Sequence, residues 1–326
     1  MKSIIPPVDV GLLEKELTEA KFLRETNVGN NSIYIVTAHD SPHVMREIGR
    51  LRELTFREAG GGTGKETDID EFDTADVPFK QLLVWNNETK EIVSSYRFIL
   101  GKDVPLDENG YPYTPTSKLF HFSKKFIDNQ WKKTIELGRS FVQPKYQGTT
   151  NPRLGLFSLD NLWDAVGTLA VDYPDAKFFL GKMTMYDSYN RLARNLILFF
   201  LRKYFKGNKE LISPFYPQEI EKRKKIFRSI FRNGSYKEDF KALNDNIRDL
   251  KTSIPPLIKS YMSLSKTMKY FGVAANPEFG PVEEIAIMIK IKDINEDKKK
   301  RYIDTYKKKE KRRKMEFERD SSLRSE

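Results

Sequence analysis

The segment Thr134-Ile-Glu-Leu-Gly-Arg-Ser-Phe-Val142 is apolar enough to form a buried strand, yet it carries an acid and a guanidinium. Charges inside a protein cost free energy unless a partner or a substrate uses them. A loop over Gln143 to Pro152, an amphipathic helix over Leu154 to Val171 and a second strand over Ala176 to Met185 are predicted to follow. This order of strand, loop, helix and strand is typical of an α/β protein.

Further helices and strands are predicted on both sides of this unit. Apolar spacing and turn residues indicate a helix after Asp9, a strand over Ser32 to Ala38, a helix beginning at Ser41-Pro42, a flexible loop over Gly60 to Gly64, two strands (Gln81 to Trp85 and Ile92 to Leu100) joined through Asn86-Asn87, and a helix over Ser188 to Phe205. We therefore expect a mixed central β-sheet flanked by helices.

Composition excludes several classes of protein. The 326 residues include no cysteine, which removes disulfides, thiol nucleophiles and cysteine-bound metals. The three histidines, His39, His43 and His121, are scattered and do not suggest a catalytic triad. No apolar run is long enough to cross a bilayer and no apolar segment opens the chain, so we expect a cytoplasmic protein. The net charge of +11 suits an acidic partner, an anionic membrane or nucleic acid.

Shifts in composition divide the chain into four parts. Residues 1–205 and 251–292 have globular composition and are predicted to form the core. Residues 206–250, rich in Lys, Arg, Glu and Phe, are predicted to be a basic helical insertion. Residues 293–326 are predicted to be a basic tail, either helical or disordered, with a net charge of +5 from Asn295 onward.

Three charged positions outside the opening stretch are candidates for a polar site. Asp70 and Asp73 flank Phe72, whose apolar ring argues that this acidic turn is partly buried and not merely solvated. Arg97 lies in a strand expected to be central, where an arginine is rarely free. We expect Arg97 either to form a salt bridge with Glu136 or Asp73, or to belong to one functional polar cluster together with these acids.

The spacing of Glu136 and Arg139 raises a geometric question. In a regular strand, residues three apart point to opposite faces of the sheet. A β-bulge would bring both side chains to one face, and Gly138 is a suitable position for it. Such a bulge would also splay two strands and open a slot in the sheet.

The loop after this strand offers a site for an anion. Gln147-Gly148 and Asn151 would present backbone amides near the start of the next helix, where anions bind readily. An ordinary connection between strand and helix fits the same residues.

Five short motifs occur in an order known from one protein family. They are Arg52 with Phe56, Asp70-Glu-Phe-Asp73, Tyr96-Arg97, Glu136-Leu-Gly-Arg139 and Leu162-Trp163. Together they resemble the GNAT acyltransferase fold, and more specifically the branch of ornithine-lipid and glycine-lipid N-acyltransferases, often labelled hemolysin-like and related to acyl-homoserine-lactone synthases. The likeness covers residues 30–205 and 253–290, the latter through Pro255-Pro256-Leu257 and Asn276-Pro-Glu-Phe-Gly280.

Two positions depart from the family pattern. Ser94-Ser95 precedes Tyr96 without the family's usual glycine. Lactone synthases carry a Trp after the first helix, where this chain has Gly60 to Gly64, and this difference argues against a lactone product.

The resemblance implies an N-acyltransferase that moves a (3-hydroxy)acyl chain from a thioester, acyl carrier protein or coenzyme A, to the amine of glycine or ornithine in aminolipid synthesis. It implies no metal and no cofactor beyond the donor. Glu136 is the expected base for the amine, and Asp70 and Asp73 are expected to position the ammonium group or hold the arginines. Arg97 and Arg139 are expected to bind the acceptor's carboxylate. The remaining implied site residues are Arg52 and Phe56 for the substrate and Phe141, Val142, Gln147 and Gly148 for the donor.

The positive net charge of the chain indicates two partners for such an enzyme, an acyl carrier protein and an anionic membrane surface. Acyl carrier proteins are acidic, so a basic surface would speed their encounter. The enzyme would be held on an anionic inner membrane surface by the segment Lys222 to Lys225, the apolar residues Phe227, Ile230 and Phe231, and the tail. The alternative for these basic segments is that they serve solubility alone. An acyl-homoserine-lactone-type synthase is the alternative within the enzymes. A basic nucleic-acid-binding module is the alternative of another class, but the basic residues lie mostly in the insertion and tail, so no nucleic acid is expected.

Overall fold

A mixed β-sheet forms the centre of the computed structural model, which describes residues 1–148, 157–218, 224–232 and 234–307. The strands are β1 Phe22–Glu25, β2 Asn31–Val36, β3 Lys80–Asn86, β4 Glu91–Leu100, β5 Phe120–Phe122, β6 Thr134–Val142, β7 Phe178–Tyr186, β8 Ile212–Pro214, β9 Lys269–Ala275 and β10 Val282–Lys290. The helices are α1 Val10–Glu16, α2 Pro42–Glu58, α3 Glu71–Thr74, α4 Lys124–Asn129, α5 Ser158–Asp172, α6 Arg191–Tyr204, α7 Lys224–Ile230, α8 Tyr236–Asp249, α9 Pro256–Leu264 and α10 Glu296–Lys298, which continues as a π-helix over Lys299–Asp304.

Eight of these strands form one sheet, and the order of its strands creates a gap near its middle. The order is β1-β2-β3-β4-β6-β7-β10-β9, and β5 pairs with β8 in a small separate sheet. Every pair in the large sheet is antiparallel except β6 with β7, which run parallel. Their pairing begins at Thr134 with Phe178 and stops at Leu137 with Gly181. Beyond that point the two strands separate, so the facing edges no longer pair with each other.

The two faces of the sheet bury different groups. On the back face, α5 and α6 cover apolar side chains such as Tyr96, Leu137 and Met183. On the front face, α2 covers one end, where Leu51 and Phe141 belong to the same apolar cluster. An aromatic cluster built on β5 and α4 covers the other end of this face, with Phe120, Phe122, Phe126 and Trp131 all buried. Between these two covers the front face stays open and polar.

The predicted mixed sheet flanked by helices is confirmed. The strand predicted over Thr134 to Val142 has these bounds in the structure, and α2 begins at Pro42 as expected. Strands β9 and β10 were not predicted, because β10 is buried on both faces and so lacks the alternation that marks a half-exposed strand.

The two basic segments are more integrated with the core than their composition suggests. The segment predicted as a helical insertion contains α7 and α8, but also β8, which pairs with β5. The first part of the tail packs on α5, burying Tyr302 and Ile303. The remainder, residues 308–326, lies outside the described part of the chain, as do Lys222 and Arg223 of the segment Lys222 to Lys225. Among the described helices, none is long and apolar enough to cross a membrane.

Replacing Gly167 with alanine tests the docking of the tail on α5. A Cβ atom there would lie 2.8 Å from the carbonyl carbon of Tyr302, so α10 would have to move. We expect Gly167→Ala to cost about 1–3 kcal/mol of unfolding free energy, measured by urea denaturation. Gly11→Ala is the control, because its Cβ would approach only the Asp9 side chain in an exposed helix. Equal stability of the two variants would contradict this packing.

Candidate active site

A cavity of about 690 Å³ opens on the front face of the sheet. Its floor is formed by polar side chains on neighbouring strands, namely Arg97 on β4, Glu136 and Arg139 on β6, Lys182 and Thr184 on β7, and Glu284 on β10. Asp70 and Phe279 contribute to its walls. The cavity therefore adjoins the gap where β6 and β7 separate.

Asp73 is the centre of a buried polar network beside this cavity. Its Oδ2 atom accepts a hydrogen bond from Arg52 Nη1 at 3.0 Å and lies 3.1 Å from Arg97 Nη1. Its Oδ1 atom accepts from Gln81 Nε2 at 3.0 Å, and Gln81 Oε1 in turn accepts from Arg52 Nη2 at 2.6 Å. All four residues are buried. One carboxylate thus links α2, α3, β3 and β4.

Asp70 connects this network to β6. It caps α3 by accepting from the backbone amides of Phe72 and Asp73. Its Oδ1 atom also accepts from Arg97 Nη1 at 2.7 Å, and its Oδ2 atom lies 3.6 Å from Arg139 Nη2. Burial would raise the pKa of Asp70, but the charge and hydrogen bond of Arg97, together with the charges of Arg139 and Arg52, outweigh burial and hold this pKa well below its usual range.

Arg139 and Arg97 each form ion pairs with aspartates. Arg139 Nε lies 2.9 Å from Asp68 Oδ2, and its guanidinium lies 4.2 Å from the ring centre of Phe279. Burial raises the pKa of Asp68, although Arg139 and Arg52 oppose that rise. Burial would lower the pKa of Arg97, but the negative charges of Asp73 and Asp70 outweigh it and raise this pKa.

A β-bulge brings Arg139 to the same side as Glu136. Gly138 pairs with Arg97 and Phe141 with Ser95, so Arg139 and Ser140 together oppose the single residue Tyr96. Arg139 has φ +50°, a left-handed conformation that a non-glycine residue rarely adopts. The bulge expected near Gly138 is present, but Arg139 carries the unusual backbone. Both charged side chains consequently line the cavity.

Glu136 is held by one carboxylate oxygen and keeps the other free. Oε1 accepts from the backbone amide of Thr116 at 3.0 Å and from its hydroxyl at 2.7 Å. Oε2 is buried and has no hydrogen-bond partner among the described residues. A fixed carboxylate with one vacant oxygen, in the wall of a cavity, is suited to accept a proton from a bound group.

Comparisons with known protein sequences identify the family of this chain. Residues 51–156 match the model of the acetyltransferase (GNAT) domain. The chain is 53% identical, over 94% of its length and 91% of the relative's, to a glycine N(alpha)-acyltransferase of Bacteroides thetaiotaomicron. It is 51% identical, over 94% of both chains, to a glycine N(alpha)-acyltransferase of Phocaeicola vulgatus. The chain belongs to this family of GNAT acyltransferases. The solved structure of FeeM, an N-acyl amino acid synthase from uncultured soil microbes, covers 82% of this chain and 94% of its own at 10% identity, with a TM-score of only 0.37.

Of the other predicted site residues of this GNAT enzyme, some line the cavity and others do not. Phe56 lines the cavity, with its ring 5.0 Å from that of Phe279. Arg52 does not line the cavity; it donates to Asp73 and Gln81 of the buried network and to the backbone carbonyl of Asp68. The expected donor residues Phe141, Val142, Gln147 and Gly148 do not line the cavity, but Phe141 and Val142 lie on β6 beyond the point where β7 departs. Asn151 lies outside the described residues.

Sequence reasoning missed Lys182, Glu284 and Thr116. Lys182 and Glu284 each interrupt an apolar strand, and this interruption is the signal that would have identified them. Lys182 Nζ donates to Thr116 Oγ1 at 3.0 Å, and Glu284 accepts from the Thr184 hydroxyl at 3.2 Å. Burial lowers the pKa of Lys182, an effect that the charge of Glu136 opposes. Thr116 lies in an irregular segment, so nothing local indicated its place beside Glu136.

Substituting Asp73 tests whether the GNAT core depends on the buried network. Asp73→Asn leaves Arg52 and Arg97 without their shared charge, so we expect a loss of about 3–5 kcal/mol of unfolding free energy in urea titrations. Glu278→Gln is the control, because its side chain is 71% exposed and pairs only with Lys118, and it should cost less than about 1 kcal/mol. Similar losses in both variants would show that the network contributes no special stability.

The lowered pKa of Asp70 predicts a pH dependence of stability. The folded state holds the Asp70 carboxylate in its charged form, so its contribution is complete above the ordinary pKa of 3.8 and is lost as the pH falls toward the lower folded value. Asp70→Asn should therefore be less stable than the wild type at pH 6, and the difference should narrow below pH 4. Chemical denaturation at a series of pH values measures this, and a difference that stays constant would refute the prediction.

Proposed function

We propose that this enzyme transfers an acyl chain from a thioester to the amine of glycine. The observation that carries the proposal is the vacant Oε2 atom of Glu136, fixed in a cavity next to the gap between β6 and β7. The names of the two relatives support glycine as the acceptor. Ornithine is the other acceptor that the family resemblance implied.

Glu136 removes a proton from the acceptor in the proposed mechanism. The ammonium group of the amino acid must lose a proton before its nitrogen is nucleophilic. Glu136 Oε2 takes this proton, the nitrogen attacks the thioester carbonyl carbon, and a carbon–nitrogen bond forms. The carbon–sulfur bond then breaks, the nitrogen gives up its second proton as the amide forms, and the leaving thiolate takes up one proton to become the free thiol. Glu136 releases the other proton to solvent before the next turnover. Thr116 keeps the base in place by holding Oε1.

The gap between β6 and β7 is the proposed path of the donor. Beyond Leu137 and Gly181 the facing edges of these strands have backbone groups that do not pair with each other. An extended pantetheine arm would satisfy such groups with its amides, much as a peptide adds to an exposed strand edge. Gly138 and Ser140 line the cavity at this point, so an arm in the gap would bring its thioester close to Glu136.

The arginines hold the site together in this proposal. The sequence suggested that Arg97 and Arg139 bind the acceptor's carboxylate, and this role stays a prediction. Both guanidinium groups already contact Asp70, and each contacts a second aspartate. In this proposal Asp70 and Asp73 hold the arginines; positioning the ammonium group, the other role that the resemblance implied for them, also stays a prediction.

The donor and the location also belong to the proposal. We propose a (3-hydroxy)acyl donor carried by acyl carrier protein, and a role in aminolipid synthesis at the inner membrane surface. The net charge of +11 favours an acidic carrier and anionic lipids. Helix α7 also supports contact with an anionic membrane surface. Its apolar residue Ile226 is 54% exposed and is flanked by the basic residues Lys225 and Arg228. This pattern is typical of an interfacial contact.

Glu136→Gln tests the proposed function. Mass spectrometry would follow acyl transfer to glycine and to ornithine from acyl carrier protein and from coenzyme A. We expect N-acylglycine from the wild type and a kcat reduced by about 10²- to 10⁴-fold in Glu136→Gln, since the amide cannot take the proton. Glu278→Gln, at the rim of the same cavity, should retain wild-type kcat. Full activity of Glu136→Gln would overturn the assignment of the base, and absence of any N-acyl amino acid from the wild type would overturn the function.

A further inference from the structure

Lys182 is a cation on the cavity floor without a carboxylate partner. It lies in the middle of β7, is partly buried, and lines the cavity beside the gap. Within the described ranges, no carboxylate oxygen lies within 4.0 Å of its Nζ atom, which donates to Thr116 Oγ1. The three arginines around the cavity each have at least one carboxylate within 3.1 Å. Among the described residues, Lys182 therefore makes no direct contact with a carboxylate, although the nearby charges of Glu136 and Glu284 favour its charged form.

The hydrogen bonds around Thr116 fix the direction in which Lys182 donates. The Thr116 hydroxyl has one proton, and Glu136 Oε1, at 2.7 Å, can only accept it. The Thr116 oxygen must then accept from Lys182 Nζ at 3.0 Å. An ammonium group has three donors, so two remain for a ligand. Because both groups contact one hydroxyl, the free cation and the free carboxylate oxygen of Glu136 lie in the same corner of the cavity.

We propose that Lys182 binds the carboxylate of the acceptor amino acid. This inference rests on the proposed acyl transfer to an amino acid and names the group that recognises its acid end. In glycine a single carbon separates the amine from the carboxylate. A carboxylate on Lys182 of β7 would therefore direct the amine across the gap toward Glu136 of β6, where the donor's thioester is proposed to lie.

The chemistry of the site favours Lys182 over the arginines for this role. Arg97 and Arg139 would have to break their ion pairs with aspartates before they could bind the carboxylate of a substrate in bidentate geometry. Lys182 needs no such exchange. Its burial lowers the pKa of its amine, and a bound carboxylate would stabilise the charged form that burial disfavours.

The matched acceptors glycine and glycinamide test the proposal, because glycinamide keeps the amine but lacks the negative charge. The wild type should have a lower KM for glycine than for glycinamide. Lys182→Met should raise the KM for glycine by about 10- to 100-fold, the range of one charge-assisted hydrogen bond, and should leave the KM for glycinamide nearly unchanged. The amines of glycine and glycinamide differ in basicity, but this difference affects the wild type and Lys182→Met alike. It therefore cancels when the ratio of the two KM values is compared between the two enzymes. The KM for the acyl donor and the kcat at saturating glycine should stay within about threefold of wild type.

Lys182→Arg is the second variant and should retain the preference for glycine, because it keeps the charge. If Lys182→Met still prefers glycine over glycinamide as strongly as the wild type, the proposal is wrong. If Lys182→Met does not fold, Lys182→Gln with the same two acceptors decides the question. A wild type that acylates neither compound refutes the proposed function, and the Lys182 assignment with it. A wild type that acylates glycine while Lys182→Met keeps its preference refutes the Lys182 assignment alone.

Discussion

The front face of the sheet depends on the carboxylate of Asp73. Two buried arginines, Arg52 and Arg97, share its Oδ2 atom, and Gln81 binds its Oδ1 atom. A buried guanidinium without such a partner would cost several kcal/mol. The network thus fixes α2 and the short helix α3 against the middle of the sheet, and these elements form one wall of the cavity.

The second constraint is the backbone of Arg139. Its left-handed conformation inserts an extra residue into β6, which changes the face on which the following residues lie. The same strand ceases to pair with β7 just before this point. A strained residue of this kind persists only where its surroundings hold it. Here the aspartates on its guanidinium and the ring of Phe279 do so. The gap in the sheet and the charged cavity therefore share one local cause.

The sequence predicted the parts of the site that lie within single motifs. The three-residue spacing of Glu136 and Arg139 required a bulge, and the pairing of Arg97 was narrowed to Glu136 or Asp73. The structure pairs Arg97 with Asp73 at 3.1 Å, but also, at 2.7 Å, with Asp70, which was not one of these two predicted partners. These inferences succeeded because strand periodicity and the cost of buried charge are local rules.

The rest of the site required information that no local pattern contains. Thr116 comes from an irregular segment, and its contact with Glu136 joins residues that are 20 positions apart. Lys182 and Glu284 line the same cavity only because β10 pairs with β7, and β10 gave no alternating signal. The arrangement of partners around Lys182 and Glu136 thus follows from the order of the strands, which the sequence alone did not determine.

The central claim is that Glu136 Oε2 receives the proton of the acceptor amine. A crystal structure with glycine and an inert analogue of the acyl thioester would test it most directly. The account predicts the amine nitrogen within hydrogen-bonding reach of Glu136 Oε2, about 2.6–3.2 Å, with the thioester carbonyl in the gap between β6 and β7. An amine nitrogen bound to other groups, with Glu136 Oε2 still vacant, would contradict the account.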